Sequence, residues 1–140
     1  MAKRWAPDMA STPTNTSRSR PIVSVIDDDA AMRAALTDLL DSLGCQSQAF
    51  GSSELFLSAE EALSSDLVIT DIEMGPLDGL GLLKRLGEIL AQPVPVIVIT
   101  ALSDERLERR AAAEGCFAFL RKPFDPDRLI AHVRNAVALS

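Results

Sequence analysis

Four apolar runs in this chain stop on groups able to do chemistry. Ile22–Ile26 runs into Asp27, Asp28 and Asp29, and the run Leu67-Val68-Ile69-Thr70 ends on Asp71. Val96–Ile99 ends on Thr100, and Phe117–Leu120 runs into Arg121, Lys122 and Pro123. A polar residue after any one strand is ordinary. If the four runs are parallel strands of one sheet, however, their ends share an edge, where open parallel sheets bind ligands. Three carboxylates (Asp27, Asp28 and Asp71), the Thr100 hydroxyl and the Lys122 ammonium then meet in one place. Clustered carboxylates repel unless a cation sits among them, and oxygen ligands of this kind suit Mg²⁺. The Cys/His spacing of a zinc site is missing, as is a glycine-rich phosphate loop. A carboxylate beside a divalent ion can attack a phosphoryl donor and become an aspartyl phosphate. Asp71 is then the nucleophile, and Lys122 and Thr100 hold the phosphoryl oxygens.

The elements that must carry these residues follow from periodicity. The runs ending at Ile26, Asp71 and Thr100 read as strands buried on both faces of a sheet. Cys45 to about Phe50 is a weaker strand, placed by context, and Phe117–Leu120 is the fifth. Between them, Met32, Leu36, Leu39, Leu40 and Leu43 recur at helical spacing, with Gly44 as the stop. Ser52 or Ser53 caps a short helix through Leu55, Phe56 and Leu57. Leu80 to Leu90 marks a third helix, ended by Pro93 and Pro95. Asp104 to Glu114 is a charged helix with few large apolar residues, stopped by Gly115. Asp125 caps the last helix, with Pro126 in its first turn and an inward stripe of Leu129, Val133 and Val137. Five strands alternating with five helices predict an α/β fold: a doubly wound, flavodoxin-like parallel sheet in the order 2-1-3-4-5.

At 140 residues and 47% hydrophobic content the chain suits one globular domain. No apolar run reaches the roughly 18 residues of a membrane span. With two distant cysteines, Cys45 and Cys116, the expectation is reduced thiols in a cytoplasmic protein. Residues 1–20 are rich in Ser, Thr, Pro and Arg and read as a disordered tail ahead of a domain over 21–140. Lys3, Arg4, Arg18 and Arg20 against Asp8 give the tail a net +3, leaving −9 on the rest. That acidic body argues against direct nucleic-acid binding. His132, the only histidine, falls on the last helix away from the strand ends, which speaks against a histidine phosphodonor.

The assembled motifs resemble a bacterial response-regulator receiver domain from about Ile22 to Val137. The matching residues are Val25-Ile26-Asp27-Asp28-Asp29, Thr70-Asp71-Ile72-Glu73-Met74, Leu77-Asp78-Gly79, Ile99-Thr100-Ala101 and Arg121-Lys122-Pro123-Phe124. The neighbourhood of Glu54-Leu55-Phe56-Leu57 is further similar to receivers of the nitrogen-fixation regulator type. The resemblance implies that Asp71 is the phosphoacceptor. It also implies Asp27 and Asp28 as metal-site partners, with Asp28 the more direct ligand, and the main-chain carbonyl of Glu73 as another ligand. Thr100 and Phe119 would be the switch residues, Lys122 would pair with the phosphoryl group, and the Lys122–Pro123 bond would be cis. Implied partners are a sensor histidine kinase or phosphotransfer protein and a downstream protein, met through the face of the fourth helix, fifth strand and fifth helix. A homodimer would use that same face. Unless the sequence is a fragment of a longer protein, the readout expected is a protein contact, since no output domain follows residue 140.

Two departures from the family pattern stand out. Gly75 intervenes between Met74 and Pro76, so the loop's stiffness should differ, while Phe119 lacks a hydroxyl to exchange bonds when it turns. Two rival readings differ in class. A Mg²⁺-dependent aspartyl-phosphate phosphatase or phosphotransferase commonly shows Asp two residues after the nucleophile, where this chain has Glu73, and a cap insertion these loops are too short to hold. A flavin-binding domain of the same topology should carry a phosphate nest where this chain is acidic.

Overall fold

The computed structural model describes residues 20–59, 64–72, 78–89, 93–102 and 104–137. The tail expected over residues 1–20 lies outside these except for Arg20, as do Glu73, Met74, Gly75, Pro76 and Leu77. Five strands, β1 (Ile22–Ile26), β2 (Gln46–Phe50), β3 (Leu67–Asp71), β4 (Val96–Thr100) and β5 (Ala118–Arg121), alternate with five helices. The helices are α1 (Ala30–Ser42), α2 (Ser53–Ser58), α3 (Gly79–Ile89), α4 (Glu105–Ala113) and α5 (Pro126–Val137). All strand pairs are parallel, in the order β2-β1-β3-β4-β5. This is the doubly wound order expected, since right-handed crossovers force the helices onto both faces.

Period-2 alternation divides the apolar strand residues between two cores. Val23, Val25, Leu67, Ile69, Ile97 and Ile99 pack with Leu36 and Leu40 of α1 and Leu129 and Val133 of α5. Ile26, Val68, Val96 and Val98 face the other way, onto Phe56 of α2, Leu83 and Leu86 of α3 and Ala111 of α4. Every residue of β3 and β4 is buried, which is why those runs carry no polar alternation. The edge strand β2, Gln-Ser-Gln-Ala-Phe, has no fully buried residue. Its weak signal has that cause.

Local stops and starts follow the residue chemistry. Gly44 and Gly115 adopt φ of 85° and 89°, the left-handed geometry that ends α1 and α4. Ser52, not Ser53, caps α2, its hydroxyl accepting the Leu55 N–H at 3.1 Å. The fifth strand runs one residue later than its apolar signal, Ala118–Arg121 in place of Phe117–Leu120. Thr100 pairs with Arg121 across the β4–β5 register, extending the ladder past the last apolar residue.

Candidate functional site

The three acidic positions arrive by different routes. Asp71 is the last residue of β3, while Asp27 and Asp28 lie in the turn between β1 and α1. Asp29 closes that turn as the N-cap of α1, its Oδ1 accepting the Ala31 N–H at 2.9 Å. One oxygen of each of Asp27, Asp28 and Asp71 lies within 4.8 Å of the others. Asp27 and Asp71 are buried, 2% and 8% exposed, and Asp28 is exposed.

Lys122, just past the edge strand β5, completes the cluster. Its ammonium donates to Asp71 Oδ2 at 2.9 Å and to Asp27 Oδ2 at 3.0 Å. Burial alone would discourage the charge on Lys122, but the bonds to Asp71 and Asp27 together outweigh it and hold the ammonium above its ordinary range. Burial raises the Asp27 carboxyl, against the pull of the Asp29 N–H and of Lys122. The Lys122–Pro123 peptide bond is cis, as the resemblance implies.

Three carboxylates against one ammonium leave two negative charges on a cluster of hard oxygen donors. Such a donor set fits a divalent ion of the Mg²⁺ type and offers nothing to a thiophilic metal.

Thr100, at the end of β4 beside β3, is fully buried, and its Oγ1 accepts the Leu102 N–H at 3.0 Å. The hydroxyl thus braces the first residues of the β4–α4 loop. Phe119 is half-buried on β5 and packs against the core beneath α2, α3 and α4. The guanidinium of Arg121 stands 6.0 Å from its ring centroid and reaches Glu108 of α4 at 3.4 Å. Of the residues expected at the site, Asp27, Asp28, Asp71 and Lys122 converge, Thr100 ends the neighbouring strand, and Glu73 lies outside the described residues.

Three contributors have roles that the sequence reading did not assign: Asp29 and Gly79, present in its motifs, and Arg33, absent from them. Asp29 fixes the acidic turn, donating its N–H to Asp27 Oδ1 at 2.9 Å. Arg33 of α1 donates from Nη1 to the Asp27 main-chain carbonyl at 2.7 Å. Gly79 sits against the chain at Asp71: a Cβ there would lie 2.9 Å from Ile72 Cα and closer still to the Asp71 carbonyl oxygen. An Asp one residue ahead of an apolar helical period is a readable cap signal. A lone Arg on a helix, by contrast, reads as solvated.

Comparison with known proteins decides the family. The family model for the response regulator receiver domain matches residues 23–134. The chain belongs to that family. It is 42% identical over 115 residues to the transcriptional regulatory protein FixJ of Bradyrhizobium diazoefficiens, covering 82% of this chain and 56% of that protein. It is 37% identical over 120 residues to the DNA-binding transcriptional regulator NtrC of Escherichia coli K12, covering 85% of this chain and 25% of that one. A solved response regulator receiver domain protein from Clostridium thermocellum superposes with a TM-score of 0.77 at 31% identity, covering 84% of this chain and 94% of that chain. The chain therefore spans about half of FixJ and a quarter of NtrC. Receiver domains are regulatory modules of two-component systems, and the flavin-binding reading falls away with this assignment.

Proposed function

We propose that this receiver is a phosphorylation-dependent switch in which Asp71 takes a phosphoryl group from a sensor histidine kinase or phosphotransfer protein. The observation that carries this reading is the buried Asp71 carboxylate, 2.9 Å from the Lys122 ammonium and clustered with Asp27 and Asp28. An Asp71 oxygen bonds to phosphorus as the bond from phosphorus to the donor's imidazole nitrogen breaks, and the electron pair leaves with the imidazole. Lys122 already faces Oδ2, so its charge is in place for the phosphoryl oxygens without rearrangement. Asp27, Asp28 and Asp71, with the main-chain carbonyl of Glu73, would hold Mg²⁺, which when bound neutralises charge on the phosphoryl oxygens. The protein supplies position and electrostatics and turns over no separate substrate, apart from self-catalysed phosphorylation and dephosphorylation.

The switch follows from what Thr100 now holds. To reach a phosphoryl group on Asp71, its hydroxyl must give up the Leu102 N–H, which frees the start of the β4–α4 loop. Helix α4 buries only Ala111 fully and is weakly anchored, so a change in that loop passes readily into it. Phe119 turns inward beside it, and the α4-β5-α5 face changes between two states. That face is the proposed contact for a downstream protein or a second copy, with no role for direct nucleic-acid binding. Residues 21–140 form the receiver and 1–20 its tail. The proposed setting is the cytoplasm, and no described helix is long and apolar enough to cross a membrane.

Beryllofluoride with Mg²⁺ mimics the acyl phosphate and tests this reading by NMR. Amide shifts at Thr100, Leu102, Phe119 and along α4 are expected in the parent chain and not in Asp71→Asn. An unchanged parent spectrum would leave a phosphate-independent receiver as the better account.

A further inference from the structure

Asp28 is the one member of the acidic cluster that no described residue holds directly. It is exposed, and its carboxylate bonds to no other described residue. Its position must therefore come from the backbone on either side. Asp27, its neighbour, is fixed from four directions: its N–H donates to the Phe50 carbonyl at 3.1 Å, and its Oδ1 accepts from the Asp29 N–H. Its Oδ2 accepts from Lys122, and its main-chain carbonyl accepts from Arg33 Nη1 at 2.7 Å. That last carbonyl belongs to the peptide unit joining Asp27 to Asp28. Its orientation sets the direction in which Asp28 leaves the turn.

The surroundings of Arg33 are shaped for this contact. The side chain is half-buried and passes beside Gly51, where a Cβ would lie 3.4 Å from Nη1. A Cβ at position 51 would just touch the guanidinium, and a side chain that reaches further would crowd it, so the β2–α2 junction leaves room for it. On charge alone the arrangement is unfavourable to a metal, because a fixed guanidinium beside the acidic turn opposes a divalent cation. Positioning and charge therefore predict opposite signs for its removal.

We propose that Arg33 is a positioning residue for the metal site, holding the Asp27–Asp28 peptide so that the Asp28 carboxylate is aimed at the cation. This inference rests on the reading of Asp27, Asp28 and Asp71 as a Mg²⁺ site. Mg²⁺ titration of the full chain followed by NMR amide shifts tests it, independently of phosphoryl labelling. In Arg33→Ala the dissociation constant for Mg²⁺ is expected to rise about five- to tenfold, the loss typical of one charge-assisted bond at a partly exposed site. Arg33→Lys, which keeps a charged donor, should recover part of that loss. The rate of labelling by acetyl phosphate at saturating Mg²⁺ should fall less than about twofold, because the nucleophile and Lys122 are untouched. Unchanged or tighter Mg²⁺ binding in Arg33→Ala would overturn the proposal in favour of a purely electrostatic role. If that variant does not fold, Gly51→Val, whose methyl groups reach beyond the Cβ position, crowds the guanidinium out of place without removing it. Weaker Mg²⁺ binding in that variant supports the positioning role, and unaltered binding refutes it. Asp28→Asn separates the two levels: if it binds Mg²⁺ as well as the parent, the reading of the metal site itself fails, whatever Arg33 does.

Discussion

Asp27 and Asp71 are both nearly out of water, and two ionised carboxylates at that depth repel unless a cation lies between them. Lys122 is that cation in the resting site, bonded to one oxygen of each. Replacing it by Met leaves both acids uncompensated. We expect Lys122→Met to lose about 3 kcal/mol in the absence of Mg²⁺, read by urea denaturation, with part of the loss recovered on adding Mg²⁺. The pH dependence carries a definite sign. Because the Lys122 pKa is raised in the folded state, its stabilisation is complete below the ordinary lysine value of 10.5 and is lost as pH rises through the higher folded value. Alkaline titration of the parent should show that loss and Lys122→Met should not. At this scale the sequence was informative wherever a residue ended a strand, since strand direction alone gathers Asp27, Asp71, Thr100 and Lys122. It was silent on Arg33, whose partner is a carbonyl six positions earlier, a contact that side-chain type does not encode.

Among the elements, the junction of β3 and α3 sets how closely a helix start can approach Asp71, the proposed phosphoacceptor. Gly79 lets α3 begin directly over the Asp71–Ile72 backbone, and its N–H donates to the Ile72 carbonyl at 3.0 Å. A methyl group has no room there, because its neighbours are backbone atoms and not a flexible side chain. Gly79→Ala is expected to cost about 2 kcal/mol by overpacking and to slow labelling of Asp71, measured by thermal unfolding and by acetyl phosphate kinetics on the same preparation. Strand and helix identities were readable from periodicity, most clearly in β4, where both faces are covered. Boundaries were less so. The slip in β5 arose because Arg121 stays in the ladder while its side chain lies near Phe119 and Glu108. Sequence polarity marked it as loop, but backbone pairing made it strand.

For the whole molecule, one sheet separates two cores and brings Asp27, Asp28, Asp71 and Lys122 together at a single edge. The rigid part is the fully buried pair β3 and β4. The part the proposed switch would move is α4, an amphipathic helix of low apolar content in which only Ala111 is fully buried. The global architecture could be read from the chain because alternation of five strands with five helices admits few topologies. The identity of whatever responds to the α4-β5-α5 face has no such constraint. It depends on a second surface, and one chain does not encode it.

The central claim is that Asp71 accepts a phosphoryl group. Intact-mass analysis after incubation with acetyl phosphate and Mg²⁺, followed by peptide mapping, tests it most directly. One hydroxylamine-sensitive phosphoryl group per chain, mapped to Asp71 and missing from Asp71→Asn, is the predicted result. Stoichiometric phosphoryl on Asp71→Asn, or on another residue of the parent chain, would contradict it.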